Sequence, residues 1–290
     1  MTRGFQSTGS EINALRQELV EQVCREASER PQIGFAANSA VAADDWASTL
    51  GLPPGRIQVL YNGLNEASLG FSDAENRDPR PPESDGTGSA EEDSTCPEHV
   101  SLQAATLAAP RECFAGLVVG GVFRLDPVKD PLLWVEVARR VAERIPKARF
   151  LLVGDGPLQD RVQRRIEALR LADRFEMPGL VRDGLANYYK RMDLFLLTSK
   201  SESLPNVVIE AQLAGVPVVA PPVGGIEEAF AEPGTGRLCE RSEKALAETV
   251  IEALNDHAWR EHVRARAPEE IRHRFSLGEM LETTKKAYGW

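Results

Sequence analysis

Arg149-Phe150-Leu151-Leu152-Val153-Gly154-Asp155-Gly156-Pro157 reads as a short apolar strand that runs into a tight glycine turn before a helix. An unbroken apolar run of this length is the mark of a strand covered on both faces. Helical spacing takes over at Leu158–Leu171, and a further strand follows at Arg174–Met177. Upstream, the apolar run Cys113–Val122 precedes a helix over Asp130–Ile145, with Leu132, Leu133, Val135, Val137, Val141 and Ile145 on its apolar side. Downstream come a short helix Gly184–Arg191, strand Asp193–Thr198, helix Pro205–Ala214, strand Val216–Ala220 and a short strand Gly236–Cys239. Helical segments Ser242–Asn255, Ala258–His273 and Leu277–Tyr288 close the chain. Strands alternating with helices predict an α/β fold, a doubly wound parallel sheet of Rossmann-like type, over residues 111–290. Ligands of such sheets bind beyond the carboxyl ends of the strands.

Residues 1–65 have a different pattern. Ile12, Leu15, Leu19, Val20 and Val23 recur at helical spacing between Glu11 and Glu29. Ile33–Ala37 and Ile57–Tyr61 read as strands around a helix Ala40–Leu50, one βαβ unit. By itself that is a two-stranded sheet with open edges, a poor free-standing structure. Residues 66–110 are rich in Pro, Ser, Glu, Asp and Gly, and read as a disordered linker or insertion. That stretch contains ten carboxylates and two arginines, Arg77 and Arg80, and so carries −8 of the chain's net −10.

With 44 acidic and 34 basic side chains in 290 residues and no basic stripe, a nucleic-acid partner is not expected. No apolar run approaches the roughly 18 residues that would span a bilayer, and Met1–Ser10 has no signal-like apolar core. Cys24, Cys96, Cys113 and Cys239 are scattered, without metal-site spacing, and read as reduced thiols. The expectation is a cytoplasmic protein.

The strand ends carry the chemistry. After the first strand of the main sheet come Gly120-Gly121-Val122-Phe123-Arg124 and then Lys129, two cations five residues apart that suit a diphosphate. Thr198-Ser199-Lys200-Ser201-Glu202-Ser203-Leu204-Pro205-Asn206-Val207-Val208-Ile209-Glu210 follows the fourth strand. Pro205 suits the first turn of a helix, whose free N–H groups and positive dipole end form an anion site. Glu202 and Glu210 flank that site and suit neutral hydroxyls. Pro221-Pro222-Val223-Gly224-Gly225-Ile226-Glu227-Glu228 opens into the same cleft. Singly, each feature has a bland reading: Arg124 or Lys129 as a solvated cation, Glu210 as an exposed helix residue, Gly224-Gly225 as an ordinary turn. His99, His257, His262 and His273 read as surface residues, and Tyr188, Tyr189 and Trp134 as packing. The signal is joint.

Taken together these motifs resemble the family 4 (group 1) glycosyltransferases of the two-domain GT-B fold. Val119-Gly120-Gly121-Val122-Phe123-Arg124-Leu125-Asp126-Pro127-Val128-Lys129-Asp130-Pro131 is similar to that family's arginine–lysine diphosphate clamp. Val153-Gly154-Asp155-Gly156-Pro157 and Met177-Pro178-Gly179 match its next strand-end turns, and Glu202 to Glu210 its E-x7-E motif. Val223-Gly224-Gly225 with Glu228 follows in order, while Asn38-Ser39 and Val59-Leu60-Tyr61-Asn62-Gly63 resemble the end of its acceptor domain. The resemblance implies that Arg124 and Lys129 hold the donor diphosphate and stabilise the leaving nucleotide, that Glu202 approaches the donor sugar and that Glu210 binds the ribose. It sets Gly121, Gly154, Leu204, Asn206, Val207, Gly224 and Gly225 along the sugar and phosphates, and Gly179, Leu180 and Val181 near the base. It also implies retention of anomeric configuration, a nucleotide-diphosphate sugar as substrate, a glycan or lipid-linked acceptor, polysaccharide biosynthesis, and neither metal nor cofactor. Two residues depart from the family pattern: Phe123 stands before the clamp arginine where many members have glycine, and Ser203 replaces the glycine after Glu202.

By the same resemblance, residues 1–65 are a remnant of the amino-terminal acceptor domain, 66–110 an insertion, and 111–290 the donor-binding domain with its carboxyl-terminal crossover helices. Most of the front half, including its glycine-rich loop, is then expected to be missing. Location is expected in the cytoplasm, with peripheral attachment at the inner face of the membrane for a lipid-linked acceptor. The rival readings are a donor-binding subunit whose cleft is completed by a partner chain or second copy, an inactive truncated transferase, and a GT-B sugar-nucleotide epimerase.

Overall fold

The computed structural model describes residues 34–71 and 116–289, with five further positions, Glu18, Glu21, Gln22, Cys24 and Glu26. Those five are helical and fall within the amphipathic stretch. The rest of that stretch, Ile33, the acidic stretch beyond Phe71, Cys96, His99 and Cys113 lie outside the described residues.

Six parallel strands form the main sheet: β3 (Val118–Val122), β4 (Arg149–Val153), β5 (Phe175–Gly179), β6 (Leu194–Leu196), β7 (Val218–Ala220) and β8 (Gly236–Leu238). Their spatial order is β5-β4-β3-β6-β7-β8. The chain therefore builds outward from β3 to one edge, returns, and builds outward from β6 to the other. β3 and β6 pair directly through Val119↔Leu194 and Gly120↔Phe195, which makes their carboxyl ends the topological switch point.

Helices α3 (Pro131–Arg144), α4 (Gln159–Ala168) and α7 (Glu243–Asn255) pack together over one face. α6 (Asn206–Leu213) and α8 (His257–Arg274) pack over the other. Burial on both faces accounts for strands without alternation: β3, β6 and β7 are buried throughout. Trp134 of α3 is fully buried, meets Phe150 and Phe175 edge-on, and donates its indole N–H to the Leu196 carbonyl 3.0 Å away.

Several boundaries differ from the sequence expectation for physical reasons. Ser242 accepts from the Ala245 N–H and Pro205 has extended backbone, so both are caps preceding their helices. β5 runs past Met177 through Pro178, which a sheet edge tolerates because one side of the strand needs no N–H donor.

Residues 34–71 form a parallel pair, β1 (Phe35–Ala37) and β2 (Ile57–Val59), around α1 (Ala40–Leu50). Its small core of Ala43, Ala47 and Ile57 is supplemented by docking onto the main body. The Leu64 N–H donates to the Phe275 carbonyl at 2.8 Å, and the Tyr61 ring meets Phe275 edge-on at 5.7 Å. A short helix, α2 (Glu66–Leu69), capped by Asn65, occupies the start of the stretch read as linker, and its Glu66 pairs with Arg272 at 3.0 Å. Beyond α8, α9 (Leu277–Tyr288) returns across this unit, with Leu277 and Met280 against Gly63.

Candidate functional site

The switch point is occupied by the two loops that leave β3 and β6. In the first, Asp126 Oδ1 accepts from the N–H groups of Val128 and Lys129 at 2.9 and 3.0 Å, which folds the loop back on itself. Asp130 then adopts a left-handed conformation (φ 52°) as the N-cap of α3, and its carboxylate pairs with Arg241. Thr198 Oγ1 donates to the Lys129 carbonyl at 2.9 Å, and the Lys200 N–H to Val128 at 2.8 Å. The loop after β6 is thus bonded to the loop after β3, and Lys129 is presented at the crevice.

Lys129 Nζ lies 2.6 Å from Glu202 Oε1, and the Ser199 hydroxyl donates to the same oxygen at 2.5 Å. The Glu202 side chain retains 7% of its exposure, whereas Arg124 retains 71%, and its ion-pair partner among the described residues is Asp126 at 4.0 Å. One clamp cation is therefore paired and half-buried, and the other stands in solvent. Beside them begins α6. Its N-cap, Pro205, makes no side-chain cap hydrogen bond, so the first-turn amides of Asn206 and Val207 stand at the positive end of the helix dipole.

The glycine pair at the end of β7 is a point of close approach. A Cβ on Gly224 (φ 55°) would sit 1.6 Å from the Glu202 carbonyl, and one on Gly225 2.2 Å from the Ser203 carbonyl and 2.9 Å from Ser39 Cβ. The Gly225 N–H donates to Ser203 at 2.8 Å. Only glycine permits the β7 loop to lie on the Glu202–Ser203 backbone this way.

Residues 34–71 supply the facing wall. Ser203 Oγ donates to Asn38 Oδ1 at 2.5 Å, and Asn62 Nδ2 donates to Asn206 Oδ1 at 2.8 Å. Glu228 accepts the Ala40 N–H at 2.6 Å, the Val41 N–H at 3.0 Å and the Tyr61 hydroxyl at 3.0 Å. A carboxylate of the main body thus caps the N-terminus of α1 from across the crevice. Burial and the Glu228 carboxylate together raise the Tyr61 hydroxyl above its usual range.

Glu210 is not the exposed helix residue of the bland reading. It is half-buried, and burial lifts its carboxyl above the normal range although a hydrogen bond from Tyr189, 2.8 Å from Oε2, pulls the other way. Tyr189, read as packing alone, is sealed, and its hydroxyl is raised well above the usual value by burial and then by Glu210.

Other positions divide. Gly121 faces inward: a Cβ there would lie 2.8 Å from the Phe123 ring and 2.9 Å from the Trp134 indole nitrogen, so glycine at this position serves packing. Leu204 turns its side chain into the core, and Val207 packs against it half-buried. Gly154 (φ 132°) donates its N–H to the Gly179 carbonyl at 2.9 Å, joining the ends of β4 and β5. Gly179, half-buried Val181 and exposed Leu180 lie at the outer edge. Three strand spacings, about 14 Å, separate them from β6. Asn38, Asn62, Ser199 and Tyr189 gave no periodic signal by which the sequence could be read for them. Among the described residues no group of three or more His, Cys, Asp or Glu side chains is placed to hold a metal ion, and no helix is long and apolar enough to cross a membrane.

The profile of the family described as "Glycosyl transferases group 1" matches residues 117–270. The chain belongs to the group 1 glycosyltransferases. Among curated relatives of this group 1 chain, the Vi polysaccharide biosynthesis protein VipC/TviE of Salmonella typhi is 34% identical over 206 residues, 71% of this chain and 31% of that protein. The D-inositol 3-phosphate glycosyltransferase of Mycobacteroides abscessus is 41% identical over 128 residues, 42% of this chain and 28% of that protein. The chain spans about a third of the length of the first curated relatives it matches. Solved structures share the fold. A TarM variant of S. aureus in complex with Fondaparinux, alpha-GlcNAc-glycerol and UDP superposes with a TM-score of 0.68 at 19% identity, over 93% of this chain and 46% of that one. Anabaena HepE in complex with UDP gives 0.67 at 21% identity, over 88% and 63%. With these GT-B structures the group 1 chain shares the mixed α/β architecture around a parallel six-stranded sheet.

Proposed function

We propose that this chain binds the donor in a retaining glycosyltransferase that moves a sugar from a nucleotide-diphosphate sugar to a glycan or lipid-linked glycan in polysaccharide biosynthesis. The observation that carries the reading is the Lys129–Glu202 contact across the switch point, beside the uncapped start of α6. A diphosphate entering there meets the solvent-exposed cation Arg124, a second cation, Lys129, that exchanges Glu202 for phosphate, and the backbone amides at the start of α6. Negative charge grows on the leaving phosphate as the glycosidic bond breaks, and charges already fixed there lower that barrier without reorganising. Glu202, released from Lys129, lies where the donor sugar follows the phosphates. Glu210 takes the ribose, Gly179 to Val181 border the base, and the leaving phosphate helps to deprotonate the acceptor. Family membership supports the reading, as do the UDP and glycan named in the complexes of structural neighbours.

The test is calorimetry with uridine, guanosine and adenosine diphosphates and their sugars. The expected result is binding to at least one, weakened in Arg124→Ala. No binding to any, with Arg124→Ala unchanged from the parent, sinks the proposal. The matching cellular location is the cytoplasm, with a lipid-linked acceptor presented at the inner face of the membrane.

A second reading, a donor-binding subunit completed by a partner chain or a second copy, is favoured by α9. None of its described residues is buried, and Leu277, Leu281 and Tyr288 remain 40, 51 and 64% exposed. Analytical ultracentrifugation decides: a monomer with full transferase activity excludes this second reading.

A further inference from the structure

Tyr189 closes the short helix α5 (Leu185–Tyr189), and its ring is sealed against Phe195 at 6.0 Å between centroids. Its hydroxyl donates to Glu210 Oε2 at 2.8 Å. That is the one hydrogen bond on the Glu210 carboxylate among the described residues, and no described side-chain nitrogen or oxygen is both sealed and unpaired. Oε1 is therefore not sealed from solvent, while Oε2 is held by the tyrosine hydroxyl. A buried hydroxyl needs an acceptor, but a backbone carbonyl would serve. Drawing a carboxylate down to meet it costs desolvation that packing alone does not require.

We infer that Tyr189 is a positioning residue: its hydroxyl fixes one oxygen of Glu210 so that the other stands as an acceptor for the two vicinal hydroxyls of a nucleotide ribose. The inference rests on the donor-site reading above. The free oxygen has two lone-pair directions, which match two adjacent O–H donors. Without the tyrosine hydroxyl the carboxylate is free to turn about its last torsions and takes up a proton more readily, and either change removes the paired acceptor.

The test compares whichever of UDP, GDP and ADP binds with its 2′,3′-dideoxy counterpart, by calorimetry, in the parent, Tyr189→Phe, Glu210→Gln and the double variant. The parent is expected to prefer the ribonucleotide by about tenfold or more, the scale of hydrogen bonds to a charged acceptor. Tyr189→Phe should lose most of that preference while its dideoxynucleotide affinity stays at the parent value, which also certifies its fold. The double variant should discriminate no less than Glu210→Gln alone, because Tyr189 acts through Glu210. A Tyr189→Phe protein that melts earlier but keeps the parent preference overturns the inference and leaves a structural hydroxyl. A parent that binds the diphosphate without preferring the ribose also overturns it, with donor binding intact. Absence of binding to all three diphosphates overturns the donor-site reading and this inference with it.

Discussion

Lys129 and Glu202, 73 residues apart in the chain, meet at 2.6 Å over the point where the strand order reverses. The contact makes the first carboxylate of the E-x7-E segment the counter-ion of the clamp lysine, so an incoming anion competes with a side chain already in place.

Removing the competitor and removing the cation should therefore act in opposite directions. Glu202→Gln is expected to bind a nucleoside diphosphate about threefold or more tightly, because a partly buried pair no longer has to be broken. Lys129→Ala should weaken binding about tenfold or more. Calorimetry in low salt reads both. Equal affinity in the parent and Glu202→Gln excludes competition.

Gly224→Ala is expected to destabilise the protein by about 1–3 kcal/mol. The new methyl would overlap the Glu202 carbonyl, so nucleotide binding should fall with stability. Gly179→Ala shares the positive φ (77°) but meets no atom within 4 Å. It should cost about 1–2 kcal/mol and leave the Lys129–Glu202 contact untouched. Thermal melts of the two variants together with diphosphate titrations check the contrast.

Glu210→Gln should exchange function for stability. The folded-state carboxyl is raised by burial, so protonation favours the fold. That contribution is complete below the ordinary glutamate range and is lost as pH rises through the raised folded value. The glutamine variant has no such loss. Its advantage over the parent in urea melts should grow from acid to neutral pH, while its nucleotide affinity drops. An advantage independent of pH rejects this account.

Glu228→Ala leaves the Ala40 and Val41 amides and the Tyr61 hydroxyl without their shared acceptor. A loss of about 1–3 kcal/mol is expected, concentrated in residues 34–71. Hydrogen exchange should quicken in α1 and remain slow in β3 and β6. Uniform quickening contradicts a local role.

The central strands were readable because β6, β7 and Phe150–Val153 of β4 are uninterrupted apolar runs, and β4 leads directly into a turn that needs glycine at Gly154. Helix limits were less so: Ser242 and Pro205 belong to caps, and a cap is defined by backbone angles and one hydrogen bond rather than by period. Of the candidate site, the residues that end a strand were legible from position alone. The partners of Asn38, Asn62 and Tyr189 were not, since each lies on a different element and a lone polar side chain carries no record of what it will meet. Gly121 shows the converse, a motif glycine whose place in the fold is under an indole ring.

Gly225 has a mechanical consequence. At this single position the β7 turn, the Ser203 backbone and the start of α1 come together, with no room for a methyl group between the first and either of the others. The aperture of the crevice is thus set by a shim of zero thickness. Any side chain there acts as a wedge, lifting residues 34–71 away from the β6 loop and moving Asn38 from Ser203 without altering either residue.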